Sequence, residues 1–368
     1  MIDKRLFKRL DYPFLILVIL ITALGIVIIS SATHANPFTG GDYHFVKMQL
    51  IWFLLGLGVM IVVISIDYRT FGRLSNIIYG VNIILLLLVL LIAKPTMGAA
   101  RWISVGPFRF QPSEFAKIAV ILTLARYLEK KEGKINNVKE LLLLLIYVGI
   151  PTAMIMKQPD LGTSLVLIAI FFGMIFIGGV NFKLILGLIS SGIFLAPIMW
   201  SFLKTYQKKR ILVFLNPNMD PLGAGYHVIQ SKIAVGSGGF LGKGLYQGTQ
   251  NQLNFLPEQH TDFIFSVLGE ELGFVGGAFL LILYMLLILR GLHLATKSRD
   301  MYGMLIIIGV IVMFTFHIFI NIGMTIGIMP VTGLPLPFMS YGGSSFLSNM
   351  IAVGLVLNVG MRRYKILF

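Results

Sequence analysis

Long runs of apolar residues without a single charge, such as Ile83 to Ile92 and Leu141 to Ile146, decide what this chain can fold into. A hydrocarbon layer about 30 Å thick is crossed by about 20 residues of helix, and runs of that kind recur along the whole sequence. They predict ten spans at approximately 13–33, 48–66, 75–94, 112–129, 140–156, 161–179, 182–203, 263–290, 303–328 and 338–361. A membrane β-barrel would alternate apolar and polar residues instead. The expected fold is therefore an all-α polytopic membrane protein, one transmembrane domain over residues 1–368. Composition agrees, with 57% of residues hydrophobic and 12% charged. A soluble domain carries about 25% charged residues, and a chain so poor in charge cannot cover a water-facing surface. The first span follows Lys4, Arg5, Lys8 and Arg9 with no small-residue cleavage site before the second, so it reads as a retained helix.

The net charge of +15 looks like a nucleic-acid signal until the basic residues are placed. They fall between spans, where they set topology, so nucleic acid is not an expected partner. One side collects the N-terminal bases, Arg69, Arg73, Arg126, Lys130, Lys131, Lys134, Lys139, Lys183, Arg290, Lys297, Arg299, Arg362, Arg363 and Lys365. The positive-inside rule then puts both termini of this multi-pass chain in the cytoplasm. There is no cysteine, which excludes disulfides, zinc–thiolate sites and cysteine nucleophiles.

The opposite side still carries Arg101, Arg109, Lys117, Lys157, Lys204, Lys208, Lys209, Arg210, Lys232 and Lys243. Long loops translocate regardless of charge, but Arg101 sits in a short loop and Lys117 in a helix. A basic surface for an anionic ligand, phosphate being the commonest, is the alternative. The segment 204–262 between spans seven and eight is expected as one large extracytoplasmic loop. Its apolar content argues against disorder, and Tyr226 to Val235 has the spacing of a short amphipathic helix. The run Gly236 to Gly244 is either an anion nest or a turn between packed pieces.

Among the acidic residues, Glu270 and Glu271 lie inside the eighth span. Carboxylates at that depth are functional or pairing candidates, and Glu271 is expected to pair with a basic residue or a helix end. Asp262 sits where the long loop enters the membrane, after Glu258, His260 and Thr261. There it serves either as a partly desolvated general base or, with Thr261, as the N-cap of the eighth helix. His260 has no second ligand at metal spacing. In the loop before span four, Pro112, Ser113 and Glu114 suit a first helical turn. Glu114 and Lys117, three apart, share a helix face and can pair. Trp102 suits an interface anchor or a glycan or lipid contact.

Two further stretches are distinctive: Lys157 to Ser164, an acidic turn, and Pro330 to Ser345, where Pro330, Pro335 and Pro337 preclude regular helix and force a shaped rim. The stretches GLPLPFMSYGGSS, RWISVGPFRFQPSEFAK, KQPDLGTS and PEQHTDFIFSVLGEELG together resemble the SEDS family, the shape, elongation, division and sporulation proteins. The resemblance covers essentially the whole chain. Its length and compact loops are more similar to the elongation branch than to the division branch. It implies a peptidoglycan glycosyltransferase acting on lipid II, in which a GlcNAc 4-hydroxyl attacks the anomeric carbon of a MurNAc and expels the lipid diphosphate. The aspartate of the family's HTDF motif falls on Asp262, which the resemblance makes the general base. Arg101, Arg109, Lys117, Arg210 and Lys243 face the side where a leaving diphosphate needs cationic stabilisation. With them Trp102, Glu114, Asp160, Glu258, His260 and Ser340 are candidate substrate-binding residues. A divalent cation, Mg or Mn, is a candidate to share that work, with Glu114 and Asp160 as candidate ligands. The implied partners are a class B penicillin-binding transpeptidase and other elongation-complex membrane proteins. A lipid II flippase and a non-catalytic scaffold are the competing readings.

Overall fold

The computed structural model describes residues 9–34, 43–92, 101–105, 108–132, 135–202, 205–220, 223–253, 255–256 and 258–363. Lys4, Arg5, Lys8, Lys134, Lys204, Lys365 and residues 98–100 of the loop before span four lie outside the described residues. Every predicted span is a helix: α1 (Tyr12–His34), α2 (His44–Ser65), α3 (Tyr68–Ile92), α4 (Pro112–Lys130), α5 (Val138–Lys157), α6 (Leu161–Ile177) and α7 (Phe182–Phe202). Three short helices follow in the long connection: α8 (Thr205–Leu215), α9 (Ala224–Ser237) and α10 (Thr249–Gln252). Then come α11 (Ile264–Thr296), α12 (Met301–Thr325) and α13 (Gly343–Met361). Among the described residues, seven of these helices are long and apolar enough to cross a membrane. α6 and the apolar part of α7, Phe182–Ile198, are shorter, and α4 carries charge along its length.

Among the described residues, the one non-helical element is a hairpin in the loop before α4. Its strands β1 (Ile103–Val105) and β2 (Phe108–Phe110) pair antiparallel, with Ser104 opposite Arg109. The all-α expectation is corrected by that one small sheet. The local signals for α4 hold: Pro112 opens it and Glu114 lies in its first turn. α13 starts five residues later than the predicted span, because the chain through Phe338 (φ 64°) is still turning there.

α12 and α13 form the centre. They are the most buried of the apolar helices, and α12 packs against α4, α6 and α11 while α13 packs against α2. Glycine permits some of the closest approaches: a Cβ on Gly25 of α1 would meet the Phe338 and Met339 backbone at 2.8 Å. α7 is the opposite case, exposing Ile193, Phe194 and most of its other side chains.

At one end of the bundle acidic residues pair with the bases beside them. Arg290 grips Asp11 (2.8 and 2.9 Å), and Asp300 takes Arg69 and the Tyr68 hydroxyl. Asp11 is buried there and also holds the Phe14 amide, so it is no solvated surface charge. The other end is a mouth, built from the hairpin, the turn before α6, the start of α11 and the proline-rich segment.

The segment 204–262 is not a free loop. α9 lies against α11 and α12, with Ser231 bonded to Ser266 (2.6 Å) and to the Thr325 carbonyl (2.7 Å). Beyond it the glycine run crosses a break in α11 at Gly273 (φ 62°, ψ −159°). The Lys243 and Gly244 amides donate to the Glu270 and Glu271 carbonyls, while the Phe274 and Val275 amides donate to Gly239 and Phe240. A Cβ on Gly242 would lie 2.1 Å from the Glu271 carbonyl oxygen, so backbone must pass backbone directly. Of the two readings of this run, the structure favours the packed turn, since the Lys243 and Gly244 amides serve the broken helix while those of Gly239 and Gly242 close the turn itself. Phe240 stacks on Phe274, both largely exposed, on the apolar flank of α11. The turn therefore dips alongside a membrane-crossing helix.

Candidate active site at the mouth of the bundle

The N-cap position of α11 is Phe263, and no side chain caps that helix. The capping role considered for Thr261 and Asp262 is thus unused, and the Asp262 carboxylate is left for something else. Its main chain is held firmly. Asn321 on α12 donates to the Asp262 carbonyl (2.9 Å) and to the Leu334 carbonyl (2.7 Å), tying the start of α11 to the proline-rich segment. Ser340 extends the tie, donating to the Thr261 carbonyl (2.6 Å) and accepting from the Leu336 amide (2.8 Å). The Tyr341 amide donates to the His260 carbonyl. Buried backbone groups need such partners, and here their pairing freezes the position of one carboxylate.

The carboxylate faces Gly333, where an added Cβ would lie 3.2 Å from Oδ2. Among the described residues no hydrogen bond engages it, and its surroundings act on it through space. Loss of hydration, reinforced by the Glu258 carboxylate, pushes the Asp262 carboxyl from 3.8 up to about 6, against the opposing pull of Arg210 and Arg101. Those two cations are anchored by main chain. Arg101 donates to the Gln158 carbonyl (3.1 Å) and to that of Pro159, and Arg210 to Thr332 (3.1 Å). Asp160, which also acts on Asp262, caps α6: it accepts from the Thr163 amide (3.1 Å) and hydroxyl (2.9 Å) and from Gln111 (3.3 Å).

Of the candidate residues, Asp262, Arg101, Arg210, Glu258, Asp160, His260 and Ser340 therefore meet at the mouth. His260 packs against Phe45 (4.5 Å between ring centroids) and Tyr341, and burial lowers its pKa, which keeps it neutral. Trp102 and Arg109 are exposed on the hairpin. Three candidates are placed elsewhere. Lys243 is bound to Glu270 (2.7 Å) beside the break in α11. Glu114 and Lys117 pair as expected (2.9 Å), but inside the bundle, fully shielded, with Lys117 also 3.1 Å from His317 Nε2. His317 in turn contacts the Pro335 carbonyl (3.1 Å). The apolar flanks of α4 and α12 close over this pair, so its charge braces the proline-rich segment and is not presented to a ligand at the mouth.

Of the two candidate cation ligands, Glu114 is committed to Lys117 and Asp160 to its cap, and among the described residues no group of three His, Asp or Glu side chains has the spacing to hold a metal ion by itself. Two functional neighbours that the sequence reading did not single out are His317 and Asn321 of α12, polar residues in an otherwise apolar helix. Four apart, they share one face, which is the signal that both reach the same segment. The backbone acceptors at Gln158, Pro159 and Thr332 carried no side-chain signal at all.

The bundle and its mouth define a multi-pass membrane protein that holds one unengaged carboxylate among anchored cations. The cell cycle protein profile for FtsW, RodA and SpoVE matches residues 12–365, and the chain belongs to that family. It is 40% identical to the peptidoglycan glycosyltransferase MrdB of Escherichia coli K12, over 96% of this chain and 94% of that one. Among solved structures, it superposes at a TM-score of 0.82 and 35% identity on a chain from work on the structural coordination of polymerization and crosslinking by a peptidoglycan synthase complex. That match covers 97% of this chain and 99% of the other. The rod shape determining protein RodA of Thermus thermophilus matches at 0.73 and 31% identity, covering 97% and 98%.

Proposed function

We propose that the chain is a peptidoglycan glycosyltransferase that polymerises lipid II at the mouth of the bundle, with Asp262 as general base. The observation that carries the catalytic assignment is the contrast in carboxylate engagement. Asp262 is held by its main chain, lacks a hydrogen-bonded partner and has its pKa raised to about 6. A base poised near neutral pH takes a proton from a sugar hydroxyl best. Asp262 would take the proton of the acceptor GlcNAc 4-hydroxyl as its oxygen attacks the anomeric carbon of the donor MurNAc. Arg101 and Arg210 would face the departing lipid diphosphate, where fixed guanidinium groups stabilise developing charge. The anchoring carbonyls at Gln158, Pro159 and Thr332 hold those groups in place before substrate arrives.

The mouth would face the outside of the cytoplasmic membrane, as the distribution of Lys and Arg requires. A transpeptidase of the penicillin-binding class is the partner this reading assigns; the synthase complex to which the chain is structurally similar supports a multi-protein arrangement. A flippase would need polar groups lining a path through the bilayer. Glu114, Lys117, His317, Asn321 and Glu270 all have internal partners instead.

The test is glycan polymerisation by the purified protein, with and without its transpeptidase, using lipid II and comparing wild type with Asp262→Asn. Parallel flipping assays run in liposomes. Polymer formed undiminished by the variant removes Asp262 as base, and flipping without polymer by the wild type favours the transporter.

A further inference from the structure

Two adjacent carboxylates on α11, both fully buried, meet opposite fates. Glu270 is saturated: Lys243 Nζ (2.7 Å), the Thr249 hydroxyl (3.1 Å) and the Gln250 amide (3.0 Å) reach Oε1, and the Asn251 amide (3.3 Å) reaches Oε2. Glu271 Oε1 accepts from the Ser31 hydroxyl (2.5 Å) and the Asn251 side-chain amide (3.3 Å). Its Oε2 is buried with no donor, and so is Asn251 Oδ1, on a side chain only 2% exposed. Turning the Asn251 amide over does not help. Its oxygen would then face the Ser31 carbonyl and Glu271 Oε1, which its nitrogen now serves. Of the two partners expected for Glu271, a basic residue or a helix end, the one present is the last turn of α1 at Ser31.

The charges do not close either. Lys243 offsets one of the two carboxylates. The other ionisable groups packed here are Tyr246 on the glycine-rich connection, whose hydroxyl bonds Ser30, and His34 of α1, which packs on Tyr246. α10 contributes none. Glu271 also lies at the C-terminal end of the half-helix that stops at Gly273, where the helix dipole is negative. Broken membrane helices with carboxylates and amide oxygens at such ends are where small cations bind. A bare buried carboxylate oxygen costs several kcal/mol.

We infer that Glu271, with Asn251 beside it, holds one unit of positive charge at the break in α11, as a monovalent hard cation of the sodium class or a proton. A divalent ion fits less well, because no third carboxylate or imidazole joins the two among the described residues. The bound charge would lock α1, α10 and α11 together through Ser31, Asn251 and Glu271. That junction lies nine residues beyond Asp262, near the far end of the half-helix that Asp262 precedes.

Thermal unfolding of the purified full chain tests this, with sodium chloride replaced by choline chloride at equal ionic strength, at about pH 6 and about pH 8.5. A bound cation gives a saturable rise in Tm with sodium, of the order of 5 °C, that is absent in Glu271→Gln. A bound proton gives no sodium response; Tm falls as pH rises, and Glu271→Gln flattens that fall. Should Glu271→Gln not fold, Asn251→Ala takes its place and is expected to weaken the sodium or pH response. Unfolding that is insensitive to both sodium and pH, or equally sensitive in wild type and variants, overturns the inference.

Discussion

Asp262 just before the start of α11 and Glu270 eight residues further on show what separates a reactive carboxylate from a structural one here. Glu270 has a lysine, a hydroxyl and two backbone amides, and no exposure to solvent. Asp262 has none of these donors, yet its main chain is bonded by Asn321 (2.9 Å). In Glu270 the carboxylate organises the chain around it. At Asp262 the chain is organised so that the carboxylate is left without a partner. Asp262 is half-buried, so its carboxylate keeps some hydration without a partner, whereas a fully shielded carboxylate stripped of its donors would cost about 1–3 kcal/mol.

Breaking the free side of this comparison has the largest expected effect. Asp262→Asn keeps shape and removes the base, so polymerisation of lipid II should fall about 10²- to 10⁴-fold. The Tm should be unchanged or higher, because a carboxylate held at about 6 is charged at a cost above that pH. An inactive variant that is also unfolded would return Asp262 to a structural role.

Breaking the saturated side should do the reverse. Lys117→Met leaves Glu114 buried without its cation, in the same position Glu270 would take without Lys243. Loss of one partner from a buried pair costs about 3–5 kcal/mol, so denaturant or thermal unfolding should register a large drop. Because Lys117 also touches His317, which contacts the Pro335 carbonyl, polymerisation by the folded fraction should fall as well. Full stability in this variant would show that the pair is no brace.

The pH profile sharpens the same contrast. A base works only when deprotonated, and the Asp262 carboxyl titrates at about 6. Polymerisation at limiting substrate should therefore be level above about pH 7 and fall toward tenfold per unit below about pH 6. The stability contribution runs the other way: a raised carboxylate pKa means that the folded state gains relative stability as pH falls from above 6 toward 3.8. An acid limb near 4 would mean that Asp262 is better hydrated than the geometry requires.

How much of this was legible beforehand depends on whether the signal was carried by side chains. The ten helices followed from apolar runs, because lipid permits only helices or a closed barrel and unbroken apolar runs do not suit a barrel. Pro112 and Glu114 at the start of α4 obeyed local capping rules that need no tertiary information. Asp262 stood out by position and by its motif, but position alone left it equally fit to cap α11. Only the observed Phe263 cap position decides against that. That Lys243 and Lys117 lie away from the mouth was hidden from the sequence for one reason. A count of charges by face does not show whether a neighbouring helix, or a chain doubling back across Gly273, supplies a buried counter-ion. The carbonyls that anchor Arg101 and Arg210 were beyond reach, since any residue has one.

The smallest expected effect concerns the rim itself. Gly333 has φ 74°, and a Cβ there would sit 3.2 Å from Asp262 Oδ2. Gly333→Ala therefore does two things: it strains the backbone by about 1–2 kcal/mol and it places a methyl group against the carboxylate. Gly327 has φ 79°, but its Cβ would meet the Lys232 side chain instead. The two substitutions should lower Tm by similar amounts. Gly333→Ala alone should move the acid limb of the activity profile upward, because a methyl group excludes more water from the charged form. An equal shift from Gly327→Ala would mean that the limb reports on loosening of the fold and not on the carboxylate.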